Sequence, residues 1–146
     1  MPAAPSYFRL YNRTIRIIES PEGDVSGEAL NLRTGFFDPA SPEDVANVAA
    51  GSSDVDLAKL TEARFIRETE EARSTYLQGE GPVFDIYRRV GQLFDLAKSE
   101  GRWVTSVELD EIYSLWRRSF RLWEEEAARQ EAGKPASFRY GRIGSL

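Results

Sequence analysis

From Thr105 to Glu131 the apolar residues recur every three or four positions: Leu109, Ile112, Trp116, Phe120, Trp123 and Ala127. That spacing is one stripe of an α-helix. Thr105 and Glu108 stand at the separation of a capping box, and Gly133 followed by Pro135 marks the stop. The pattern predicts a helix over 105–131. Leu115 and Leu122 lie to one side of the stripe and Tyr113 widens its other edge, so the apolar arc is broader than one contact in a small bundle needs. Such a helix either sits centrally in its own domain or turns one face to another chain. Arg117, Arg118 and Arg121 interrupt the arc, and their stems can lie along apolar surface while the guanidinium groups face water or a carboxylate.

A second repeat, Val83, Ile86, Tyr87, Val90, Leu93, Phe94 and Ala97, predicts a helix over 82–99, opened by Pro82 and ended near Gly101. The short connection predicts that 82–99 and 105–131 pack antiparallel, with Trp103 covering their junction. Residues 54–78 read as one long helix with the stripe Ala58, Thr61, Phe65, Thr69, Ala72 and Tyr76. Its opposite face, Arg67 to Arg73, is dense in charge and reads as solvated, so Glu68, Glu70 and Glu71 are taken as surface carboxylates rather than a cation site. Ser41, Pro42, Glu43 and Asp44 begin a shorter helix over 41–50. Gly79 and Gly81 form a helix–helix turn, since no lysine follows where a phosphate loop requires one.

The first third reads differently. Tyr7 to Ile18 is rich in β-branched and aromatic residues and predicts a strand. Phe8 and Leu10 share one parity, Ile15 and Ile17 the other; a bulge between Tyr11 and Thr14 is favoured over a tight loop at Asn12-Arg13. Ser20 to Glu28 reads as a turn, and Leu30, Leu32, Thr34 and Phe36 as a second strand. The expected fold is mainly α, in the α+β class. It is a small bundle of about four helices with a short N-terminal β element and an extended C-terminal tail. Three parts follow: an arm over 1–40, a helical body over 41–132 and a tail over 133–146.

The 146 residues, 41% hydrophobic and 29% charged, suit one domain with a real core. With no cysteine and no histidine, disulfides, cysteine and histidine nucleophile systems and ordinary zinc sites are excluded within the chain. No catalytic, cofactor-binding or metal-binding residue is expected. No apolar run reaches membrane-spanning length and no secretory leader is legible, so a cytoplasmic place or an intracellularly assembled complex is expected. The net charge is −5 but uneven. Both ends are basic, with Arg9, Arg13 and Arg16 before residue 19 and Lys134, Arg139 and Arg142 after residue 132. The stretch between them holds 13 basic against 24 acidic residues. Such ends could dock on an acidic surface of a neighbouring chain.

These features favour a non-enzymatic interaction or assembly protein. Its expected contacts are Trp116, Phe120 and Trp123, rimmed by Arg117 and Arg121, with Phe138 and Tyr140 on an extended arm. Its partners would be other protein chains, including a second copy; nucleic acid ranks lower and no membrane is involved. The alternative is an acidic inhibitor, immunity-type or regulatory protein acting through Glu62, Glu68, Glu70, Glu71 and Glu124 to Glu126 on a basic partner. A carboxylate-based enzyme ranks third, because no catalytic pair stands out.

Overall fold

The computed structural model describes residues 4–51 and 55–144. Strand β1 (Ser6–Leu10) and β2 (Arg13–Glu19) form a hairpin in which Leu10 faces Arg13 across a two-residue loop. Tyr11 in that loop has φ +56°, the left-handed conformation that matches tight hairpin turns to strand twist. The hairpin, not a bulge, accounts for the parity change: Phe8 pairs with Ile15, so both parities reach one face. β3 (Val25–Leu30) follows a turn at 20–24, and β4 (Phe37–Pro39) pairs with it. The expected strand over 30–36 is a turn instead. There Gly35 N–H donates to the Asn31 carbonyl at 2.8 Å and Asn31 Nδ2 reaches Asp38 at 2.8 Å.

Helix α1 (Pro42–Ala50) carries the expected cap, with Asp44 N–H donating to the Ser41 hydroxyl. The long helix expected over 54–78 is three elements: β5 (Leu57–Leu60), α2 (Glu62–Tyr76) and β6 (Leu77–Glu80). Its first residue, Asp54, lies outside the described residues. Thr61 caps α2, and β5 pairs with β1, so backbone pairing overrides the helical pattern ahead of the cap. α3 (Pro82–Ser99) and α4 (Ser106–Glu131) lie where the periodicity puts them, and the Thr105–Glu108 capping box is formed at both ends.

The architecture is α+β. An antiparallel sheet of five strands, ordered β4-β3-β2-β1-β5, replaces the small β element attached to a bundle. One face of it, with Phe8, Leu10, Ile15 and Ala29, packs on Val48 of α1. The other meets α2: Tyr7 lies 4.6 Å from Phe65 between ring centroids, and the Thr14 and Thr69 hydroxyls bond at 2.7 Å. The helical layer is the α3–α4 pair closed against α2. The tail is not a free arm. β7 (Arg139–Arg142) pairs with β6, and buried Glu126 accepts the Ser137 amide at 3.0 Å together with its hydroxyl. The basic N-terminal residues pair within the chain: Arg9 with Glu68 at 2.6 Å, Arg13 with Asp44 at 2.9 Å, and Arg16 with Glu124 at 3.2 Å.

Candidate interaction surface

The inner face of α4 is closed by a buried polar knot. Glu70 and Arg73, expected on a solvated face, are fully buried and form an ion pair at 2.8 Å. The other Glu70 oxygen accepts from Ser119 Oγ and from Tyr87 OH at 2.9 Å. Tyr87 in turn accepts from Trp123 Nε1 at 2.9 Å. Arg73 Nε donates to the Gly35 carbonyl at 2.8 Å, and its guanidinium carbon stands 4.8 Å from the Trp123 ring centre and 5.6 Å from that of Phe120. Gly35 tolerates no side chain: it has φ +86°, and a Cβ there would stand 2.6 Å from the Trp123 ring. Burial pushes the Glu70 carboxyl above its ordinary range, while Arg73 and the hydroxyl bonds pull it back. Burial, then the Glu70 charge, pushes the Tyr87 phenol well above its ordinary value. Every partner here is another member of the fold, so the knot specifies packing and offers substrate no open group.

The expected contact residues fall on both sides of this boundary. Trp123 is 1% exposed and Trp116 4% exposed, so both tryptophans are core residues of their own chain. Phe120 is half-buried against Phe65 and Phe37. Phe138 and Tyr140 pack edge-on to Trp123 at 5.2 and 5.3 Å between centroids, which is what folds the tail home. Arg117 and Arg121 remain exposed on α4. The structure thus gathers Trp123, Phe138 and Tyr140, but inside a core that also holds Phe36 and Phe84. The wide apolar arc of α4 is satisfied by the sheet side, by α2, by α3 and by the tail.

The two most exposed large hydrophobics among the described residues lie at the α3–α4 corner. Trp103, expected to cover the helix junction, is 93% exposed. Val107 is 78% exposed and Phe94 44% exposed. The corner that carries Trp103 is pinned. Arg102 donates to Glu100 at 2.8 Å, to Glu108 at 2.8 Å and to the Trp103 carbonyl at 3.1 Å. Those bonds, with the cap amide of Thr105, hold the Glu108 carboxyl down to about 2. Beside the indole runs an open groove of about 590 Å³, lined by Phe94, Ala97, Lys98, Gly101, Trp103 and Val104. The signal for this site was in the sequence: Trp103 lies between the stop at Gly101 and the cap at Thr105, off both helical stripes.

The carboxylates of the acidic alternative are mostly engaged internally. Glu70 and Glu126 are buried, Glu68 is paired with Arg9 and Arg64, and Glu124 with Arg16. Among the described residues no cluster of three acidic side chains could hold a metal ion, and no helix is long and apolar enough to cross a membrane. Comparison with protein-family models, with curated proteins and with solved structures finds no match.

Proposed function

We propose that the chain is a non-enzymatic assembly component that associates with a second copy of itself through the α3–α4 corner. The observation that carries this reading is Trp103, 93% exposed on a backbone held by Arg102. A large indole held in water on a rigid corner is the residue type and the preorganisation that dominate interfaces. The knob stands on the rim of its own hole, the groove lined by Phe94, Ala97 and Val104. A two-fold axis through the corner lets each Trp103 enter the partner's groove, so the interface is self-complementary. Each indole removes on the order of 200 Å² from water. With Phe94 and Val107 added, the pair approaches roughly 1,000 Å², the lower end for a specific interface. A reversible dimer is therefore expected. The absence of cysteine fits a reducing compartment.

Sedimentation velocity over a concentration series tests this, with site-specific photo-cross-linking from position 103 in the source cell. Wild type is expected to shift from monomer to dimer with concentration, and Trp103→Ala to stay monomeric with unchanged circular dichroism. A wild-type monomer at every concentration, or an adduct from position 103 to a different protein only, overturns the reading. An equally dimeric Trp103→Ala overturns it as well.

A further inference from the structure

On the other side of Trp116, between α2 and α4, lies a second and more enclosed groove of about 110 Å³. Ala63, Ile66, Tyr113 and Trp116 give it an apolar floor, and Arg64, Arg67 and Arg117 stand around it. Arg67 donates to the Tyr113 hydroxyl at 3.1 Å and lies over its ring, which fixes one guanidinium at the rim. The acids near it are Glu68, shared between Arg9 and Arg64, and Glu71, 4.0 Å from Arg67. Among the described residues Arg117 makes no ion pair or hydrogen bond, so positive charge is left over at the mouth. The Trp116 indole nitrogen is buried and finds no acceptor among the described residues. Buried donors are satisfied in the great majority of cases, so an unpartnered one on a residue that lines the groove is informative.

We infer that this groove binds a small organic carboxylate with a compact apolar body. The planar fork of an arginine matches a carboxylate. The apolar floor asks for a hydrocarbon part, which excludes a bare inorganic anion as the natural fit. The volume sets its size. An enclosed cavity of roughly 150 Å³ takes a benzene ring. A groove of 110 Å³, open on one side, suits a branched chain of about four carbons with its carboxylate at the rim.

The experiment uses the three indole N–H signals of the ¹⁵N-labelled chain, assigned by single Trp→Phe substitutions. Sodium isovalerate is titrated at constant ionic strength, with 3-methylbutan-1-ol as the uncharged match and sodium chloride as the salt control. Isovalerate is expected to move the Trp116 signal saturably while Trp103 and Trp123 stay still. Binding should weaken about tenfold or more for the alcohol, and likewise for Arg117→Gln, from the strength of a charged hydrogen bond. Ala63→Phe, which fills the groove from an exposed position, should abolish the shift with unchanged circular dichroism. No saturable shift, equal binding of alcohol and acid, or indifference to both substitutions overturns the inference.

Discussion

Replacing Arg73 with methionine isolates the cost of an uncompensated buried charge. Methionine keeps most of the arginine stem without the guanidinium. What goes is the 2.8 Å ion pair to Glu70, the 2.8 Å bond to the Gly35 carbonyl and the guanidinium's place over the Phe37, Phe120 and Trp123 rings. Breaking one side of a buried pair costs about 3–5 kcal/mol. That is a large part of the roughly 5–15 kcal/mol that holds a domain folded. The loss should depend on pH. Burial already raises the Glu70 carboxyl, and Arg73 is the first influence pulling it down; without Arg73 it rises further. A carboxyl raised in the folded state holds its proton where the unfolded chain has lost it. Stability therefore falls as pH rises through that window, and it recovers on acidification. Arg73→Met should therefore cost less at pH 5.5 than at pH 7.5. Urea unfolding followed by tryptophan emission at both pH values measures this. The double variant Glu70→Gln/Arg73→Met keeps acceptors for Ser119 and Tyr87 without the charge, and should be more stable than Arg73→Met at pH 7.5. A cost below about 1 kcal/mol, or one identical at the two pH values, refutes the claim that Glu70 is held against burial by Arg73.

Three further outcomes follow from local geometry. Thr105→Ala removes the acceptor of the Glu108 amide and should destabilise the chain by about 1 kcal/mol by urea unfolding. The Glu108 carboxyl is lowered from 4.5 to about 2, so its contribution is present above pH 4.5 and lost as pH falls towards 2; Glu108→Gln should flatten that part of the stability–pH curve. Gly79→Ala places a Cβ 2.0 Å from the Arg139 carbonyl oxygen and 2.5 Å from the Phe84 ring, which the β6–β7 pairing cannot absorb. The tail should come off its bed, and limited trypsin digestion at Arg139 and Arg142 should accelerate several-fold over wild type, with the five-stranded sheet intact by circular dichroism.

How much of this was legible depended on whether local signals and tertiary pairing agreed. α3 and α4 were readable because period, cap and stop coincide: Pro82 and Gly101 bracket one, Thr105 with Glu108 opens the other. The sheet was not, because its evidence lies in pairs distant in the chain. Val25 to Glu28 contains a serine and a glycine and reads as turn; it belongs to a strand because Ile15 and Ile17 stand opposite Ala29 and Gly27. Leu57 to Leu60 continues the helical stripe of α2 in sequence, yet β1 claims it. Glu70 and Arg73 sit in a run of charge that has every mark of a solvated face. Only Ser119, Tyr87 and the Gly35 carbonyl, each supplied by a different segment, make burial tolerable.

The three tryptophans carry the same lesson further. Trp116 and Trp123 lie on a helical stripe, and their place on it says only that they are covered, not by what. A partner chain was one candidate; the cover is in fact Phe36, Phe84, Phe138 and Tyr140 for Trp123, and Val90, Leu93 and Phe94 for Trp116. Trp103 belongs to no stripe, and a connection this short has nothing to fold back over it. Burial of an indole requires surrounding elements from more than one direction, and a corner supplies them from one. A tryptophan stranded between a helix stop and the next cap is therefore better evidence of an outward-facing anchor than one in the middle of an amphipathic helix. On that reasoning the proposed association surface is placed at residues 94–107, and the long helix that attracts attention first would serve as the mast that holds it steady.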